Sequence, residues 1–470
     1  MKRFDIDLKL ARTIAGVLGT GTRSGSWNTT GNLLIGPPGD AMPLYSLPAN
    51  GGNPVPVTHI EGGQTTQAYP RFLPDGRHFL FFARTTDSQG IYAGSLDSQE
   101  THKLFDSDSA AVFAPPDRVL FARRGALLAQ RLDLQTLRPV GEAVSLSAEV
   151  FVDNSVGSSS VRAALAASAS IDGSVAYRAR GEQTQLAWVD RAGHMTAFIP
   201  GTEQADIRQP DDLSIAPGGR MAAFTRTLNG NKDIWLIDLE SGLPRRFTLN
   251  EAWDGVPVWS PDGKQLVFSS LRKGFLDLYQ KPANEAGMET PLIESREGKV
   301  AHDWSPDGRY LLYQSSNPQT SDDIWVLPLF GDRRPAPIVQ TPSLECCARF
   351  APDGRAIAYK SWETGRSEVY LQAFMGPAAK QRISLEGGTA ARWRADGKEL
   401  FFRAPDGRLT SVSISHEGET LKAGNPVPLF RLQTPVYTPS PDGQSLVSVI
   451  KEPAAPITIL LNWRPGTGSN

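Results

Sequence analysis

Residues 256–270 read VPVWSPDGKQLVFSS: an apolar run ending on an aromatic residue, the turn Ser-Pro-Asp-Gly, and a second run rich in β-branched and aromatic residues. Pro261 presets the backbone for the second position of a type I turn, Asp262 suits the third, and Gly263 accepts the left-handed conformation that reverses the chain. The stretch reads as a β-hairpin. LDLYQKP (276–282) and ETPLIE (289–294) extend it to a four-stranded antiparallel meander.

The same phrase returns through the chain, as WSPDG ending at Gly308, FAPDG at Gly354, WRADG at Gly397, PSPDG at Gly443 and FLPDG at Gly76. From Asp262 the marker aspartates Asp307, Asp353, Asp396 and Asp442 follow at steps of 45, 46, 43 and 46 residues. Weaker copies run backwards through Gly218, Asp172, Asp117, Asp75 and Thr30, at steps of 44, 46, 55, 42 and 45. No long segment has a helical period. About ten small four-stranded sheets at this spacing are the sequence form of an all-β β-propeller, in which each blade buries its faces against its neighbours.

Ten blades exceed the four to eight typical of one ring, so the expectation is two rings. Residues 1–180 read as an incomplete propeller of about four blades plus a half-blade, and residues 181–465 as a six-bladed ring. The half-blade is KRFDIDLKLARTIAG (2–16), which matches only third and fourth strands and leads us to expect a module separated from a larger protein, or an incomplete reading frame. In the last blade, strands at 435–438, 444–450 and ITILLNW (457–463) lack a fourth. QLAWVDR (185–191) can supply it and close the ring, or can instead complete the blade begun by SVAYRAR (174–180). Aromatic residues recur in fixed phase at Trp259, Trp304, Phe350 and Trp393, and stacked sheets need such fillers, so these are expected to be buried between blades.

Composition narrows function. Lys plus Arg is 48 against 50 Asp plus Glu, with no basic run, so nucleic acid is not an expected partner. Only Cys346 and Cys347 are present, adjacent to each other, which excludes a disulfide scaffold and a C-x-x-C metal pair. They read as small residues of an inner strand, with a vicinal disulfide or thiol sensor as the minor reading. No apolar run approaches the roughly 20 residues of a membrane span, and Asp5 and Asp7 interrupt the place of a secretory core. Direct membrane insertion is therefore not expected. The chain as written would be cytoplasmic, and extracytoplasmic as part of a longer receptor. Nothing in it signals an oligomeric state.

Neither a G-x-S-x-G elbow nor an H-E-x-x-H pair occurs, and the six histidines are scattered. We expect no catalytic residue, no metal site and no cofactor. Asp233, Asp277, Asp323 and Glu368 recur before the third strand, which suggests a repeated structural hydrogen bond rather than a cation site. The polar residues just before or within inner strands, Trp253, Asp254, His302, Asp303, Arg349 and Arg392, are the ligand-binding candidates, because inner strands line a propeller's channel.

The repeats resemble the WD40-like (PD40) propeller repeat of the TolB-like family. The ordered series LYSLPANGGNPVPVT (44–58), YPRFLPDGRHFLFFA (69–83), LAWVDRAG (186–193), VPVWSPDGKQLVFSS, EVYLQAF (368–374), GGTAARWRADGKELFFRAPDG (387–407) and ITILLNW further resembles the propeller region that follows the kinase domain in bacterial serine/threonine protein kinases. The kinase strings themselves, a glycine-rich loop, V-A-I-K, H-R-D and D-F-G, do not occur. The resemblance implies a non-catalytic recognition module, binding a protein, peptide or envelope-derived ligand as the sensor or scaffold part of such a receptor. The alternative is a propeller hydrolase or lyase acting on a glycan or lactone in the channel.

Overall fold

The computed structural model describes residues 2–5, 10–13, 24–36, 42–60, 63–85, 88–153, 156–157, 160–161, 163–179, 184–203, 205, 207, 209–228, 231–285, 287–317, 320–376, 380–417, 420–451, 456–461 and 463. They form two compact units, one of residues 1–181 with 454–470 and one of residues 182–453. The fold is an all-β propeller.

The local turn chemistry sets each hairpin of the second unit. Gly263 has φ 69° and its N–H donates to the Ser260 carbonyl at 2.9 Å, while Ser260 Oγ donates to Asp262 Oδ1 at 2.6 Å. Asp262 Oδ1 also accepts from the Lys264 N–H. The same bonds recur around Asp307 and Asp442, so one sequence phrase builds one turn each time.

Successive antiparallel sheets of this unit begin at the innermost strands Leu213–Ile215, Asp254–Trp259, Lys299–Trp304, Glu345–Phe350, Thr389–Trp393 and Tyr437–Pro439. Each of these strands packs against the next, and Tyr437–Pro439 packs against both Thr389–Trp393 and Leu213–Ile215. The ring thereby closes. Its closing sheet runs Tyr437–Pro439, Ser445–Lys451, Thr184–Asp190, Met195–Phe198, with Trp188 opposite Val447. The two inner strands come from the end of the unit and the two outer strands from its beginning.

This arrangement corrects two sequence expectations. Residues 184–190 join the last sheet as its third strand, not its fourth. Ile457–Leu460 is not in that sheet at all; it pairs with Val175–Arg178 in the first unit, where Leu460 and Trp463 pack on the cluster of Leu120, Val150, Val175 and Tyr177. Both segments are short and apolar, so either sheet could accept either one, and the choice is made by contacts distant in sequence.

Between sheets the cores interdigitate face to face. Ile234, Leu236 and Phe247 of one sheet pack on Trp259, Leu266, Phe268 and Tyr279 of the next. At the closure Leu186, Val447 and Val449 pack on Leu213, Ala222 and Phe224. Burying each such side chain stabilises the ring by roughly 1.5–3 kcal/mol.

Pairing slips midway along four innermost strands, after Gly255, Ala301, Cys346 and Thr389. Val256, Cys347 and Ala390 adopt left-handed φ of 55°, 62° and 56° there. Such bulges bend a strand and re-aim its side chains.

In the first unit, three four-stranded sheets begin at Gly25–Trp27, Gln64–Phe72 and Val112–Ala114. The sheet Ala167–Ala169, Val175–Arg178, Ile457–Leu460 follows, with short two-stranded pairs beside the main series. Lys2–Asp5 and Leu10–Thr13 pair with each other as an antiparallel hairpin.

Candidate functional site

The innermost strands of the second unit end in their turns around a cavity of ≈ 510 Å³ to which all six sheets contribute. One position per sheet, immediately before the fixed-phase aromatic position, supplies Ser214, Val258, Asp303, Arg349, Arg392 and Thr438. The next position supplies Ile215, Trp259, Trp304, Phe350, Trp393 and Pro439, and turn prolines such as Pro261, Pro306 and Pro352 complete the lining. The cavity is thus an apolar and aromatic funnel with a charged group of residues on its wall.

The charges meet on Asp211, which a short 3-10 helix, Pro210–Asp212, places beside the first innermost strand. Arg349 and Arg392 both donate to Asp211 Oδ1, Arg392 at 3.2 Å. Arg349 also donates to the His302 carbonyl, and Arg392 to the Ala391 carbonyl at 2.9 Å. Burial alone would raise the Asp211 pKa, but the two guanidiniums outweigh it and hold the carboxyl at about 2. Burial, joined by the neighbouring Arg349, lowers Arg392.

Asp303 accepts the backbone N–H of Phe350 at 2.8 Å and that of Trp304 at 3.0 Å, while burial pushes its pKa up. The His302 ring meets the N–H groups of Cys347 at 3.1 Å and Ala348 at 3.3 Å. Burial drops its pKa to about 3, so the ring is neutral near pH 7.

The structure brings together His302, Asp303, Arg349 and Arg392. Trp253 and Asp254 do not line the cavity. They lie at the opposite end of the innermost strand, where Asp254 pairs with Arg272 at 3.2 Å and the Lys232 ammonium stands 5.7 Å from the Trp253 ring centre. Gly255 is required beside that ring, because a Cβ there would come within 2.6 Å of it. Asp211 was missed by sequence reasoning. Its only signal was indirect: arginines at the same phase of two adjacent inner strands need an anion between them.

The aromatic positions are less uniform than expected. Trp259 is buried, but Trp304 and Trp393 are half-buried and face the cavity. Their indole N–H groups are bonded to backbone carbonyls, Trp259 to Ser214, Trp304 to Gly308 and Trp393 to Arg349. Each ring is therefore fixed in orientation before any ligand arrives.

The recurring acidic residues bind protein groups. Asp233 accepts from Thr248 Oγ1, Asp277 from the Ser295 N–H, Asp323 from Gln340 and Glu368 from the Gly387 N–H. Each bond ties the third strand to the crossover leading into the next sheet. Among the described residues no group of three or more His, Cys, Asp or Glu is arranged to hold a metal ion, and no helix is long and apolar enough to cross a membrane.

Residues 213–317 match the family described as the TolB β-propeller domain, PD40. An uncharacterised protein of Agrobacterium fabrum is 33% identical over 109 residues, 23% of this chain and 36% of that protein. The Tol-Pal system protein TolB of Desulfosudis oleivorans is 32% identical over 106 residues, 22% of this chain and 23% of its own length. The uncharacterised peptidase YuxL of Bacillus subtilis is 33% identical over 124 residues, 25% of this chain and 19% of the peptidase. The chain thus covers between about a fifth and just over a third of these relatives. A solved structure of a TolB from Agrobacterium tumefaciens, so named as a candidate, aligns over 58% of this chain and 99% of its own with 16% identity and a TM-score of 0.45. Residues 213–317 thus form part of a TolB-like β-propeller domain.

Proposed function

We propose that residues 182–453 form a six-bladed recognition propeller that binds a short segment of a protein or peptide in the funnel at the turn-side mouth of its channel, without chemistry. The observation that carries this reading is the self-satisfaction of the charged wall. Asp211 is held by two arginines, Asp303 by two backbone N–H groups, and the neutral His302 accepts the Cys347 N–H through Nε2. A general base must be able to reach a substrate proton, and these groups are already engaged by protein partners. Beside these groups the cavity presents rigid aromatic and prolyl surface, which gives contact area at low entropic cost.

The kinase-linked resemblance further leads us to read the module as the sensor or scaffold part of a larger receptor. The relatives named above include no kinase, so this part rests on the sequence series alone. An in-frame kinase and membrane helix encoded immediately upstream would support it.

The binding test uses peptides selected from a display library on the purified chain, titrated by tryptophan fluorescence. Trp304→Ala or Trp393→Ala should weaken binding about tenfold or more, the loss of a central aromatic contact. A double change of His302 and Arg349 is a poor probe, because both are buried in the charged wall and their loss would unfold it. Turnover of a glycan, lactone, ester or peptide that disappears in Asp303→Asn would overturn the reading.

A further inference from the structure

The innermost strand Glu345–Phe350 carries two adjacent thiols that the funnel does not use. Neighbouring residues of a regular strand point to opposite faces. Here the bulge after Cys346 and the left-handed Cys347 break that alternation, and the two Sγ atoms stand 2.8 Å apart as free thiols. Val256 and Ala390 show the same left-handed bulge without a thiol, so the bulge belongs to the ring and the dithiol to this strand alone.

The surroundings are those of a reactive pair. Cys346 lies opposite Lys360 on the neighbouring strand, and the Lys360 ammonium is hydrogen-bonded to Cys346 and acts on both thiols. Lys360 is further held 4.5 Å from the Trp362 ring centre. Cys346 is buried and Cys347 half-buried, so one sulfur can be reached first. The other charged groups acting on Cys347 are Asp211 and Arg349. The Cys347 N–H donates to His302 Nε2, which ties the pair to the funnel wall.

We propose that Cys346 and Cys347 form a dithiol site that a hydroperoxide oxidises to an intramolecular disulfide, Cys347 attacking and Cys346 resolving. In the first step the Cys347 thiolate attacks one peroxide oxygen. An S–O bond forms, the O–O bond breaks, and the departing oxyanion takes a proton and leaves as alcohol or water. In the second step Cys346 sulfur attacks the Cys347 sulfenic acid. An S–S bond forms, the S–O bond breaks, and the hydroxyl leaves as water with the Cys346 proton. Two thiols lose two electrons, and the peroxide gains them.

The electrostatics support the division of roles. The hydrogen bond from Cys346 and the Lys360 ammonium bring the Cys347 thiol down to about 7 against its burial, whereas burial drives Cys346 up. Thiolate character governs attack, and the partner's proton serves the leaving oxygen.

The test treats the reduced, folded chain with hydrogen peroxide and follows intact mass and free thiols. The expected product is a monomer lighter by two hydrogens with both thiols lost together, reversed by dithiothreitol. In Cys346→Ser, Cys347 should instead stop at a sulfenic acid trapped by dimedone. Lys360→Met should slow alkylation of Cys347 at neutral pH by about threefold or more, as thiolate is lost, and Lys360→Arg should restore it. Oxygen uptake without disulfide in the native chain, a disulfide between two chains, or thiols that react only after denaturation would each overturn the proposal.

Discussion

Asp211 and Asp254 are both withdrawn from water, yet they ionise on opposite sides of the ordinary carboxylate range. Asp211 meets two guanidiniums and sits at about 2. Asp254 is driven up by burial to about 6, because its one cation, Arg272, is shared with Glu289 at 2.7 Å and Glu289 adds repulsion. The signs of the stability effect differ accordingly. An unfolded aspartate titrates near 3.9. The stability that Asp254 contributes is complete below that value and is lost as pH rises through 6; that of Asp211 is present above it and is lost as pH falls toward 2. Asp254→Asn should therefore flatten the dependence of unfolding free energy on pH between about 4 and 6, and stabilise the ring at pH 7 by about 1–3 kcal/mol. The flattening will be partial, since burial also lifts Asp233 to about 6. Denaturant melts across that window check it, and an unchanged slope would count against it. Asp211→Asn should do the reverse, costing roughly 3–5 kcal/mol at pH 7 by leaving two buried guanidiniums without their anion.

At the scale of the element, the sheet that closes the ring is the most exposed to mutation, because it is assembled from the two ends of the unit. Leu186 on the entering strand is fully buried against Val447, Val449 and the first sheet. Leu186→Ala should cost roughly 2–5 kcal/mol, the penalty for a cavity in a packed core, and Trp259→Ala between the next two sheets roughly 3–5. Thermal melts of the two variants, with a solvent-facing control such as Met195→Ala near zero, check both. The hairpins beneath these packings were legible in the sequence, since Pro261, Asp262 and Gly263 decide their turn from within four residues. Residues 185–191 were legible as a strand but not in their place. A sheet partner more than two hundred residues away leaves no local mark, and the run at 457–463 has the same apolar character. The candidate site followed the same divide. The place of Asp303, Arg349 and Arg392 in inner strands pointed to the channel, whereas Asp211 acquires its role only when the ring brings it to those arginines. Trp253 and Asp254 were chosen as inner-strand residues, but the strand has two ends, and only the turn end opens into the cavity.

For the whole molecule, the path of the chain makes residues 182–453 an insertion within one sheet of the other unit. Val175–Arg178 is the second strand of that sheet and Ile457–Leu460 its third, with Arg178 directly opposite Ile457. At the other boundary Thr184 stands opposite Lys451 in the closing sheet. Both pairs of ends are thus adjacent strand neighbours, a separation that a two-residue turn can span. Insertions joined in this way leave each part with its own core, and such cores fold alone. Residues 182–453 expressed by themselves should therefore give a cooperative monomer whose melting matches one transition of the full chain. A chain in which a Asn-Gly turn joins Arg178 to Ile457 should fold as well, since its last sheet keeps the third strand that Tyr177 and Trp463 help to cover. Residues 1–181 without 454–463 should not, because that strand is gone and Val175 and Tyr177 lose their cover. Circular dichroism and limited proteolysis of the three proteins decide the matter: folding of the last, or failure of the first, would show that the two units are not joined as an insertion of one self-sufficient unit into the other.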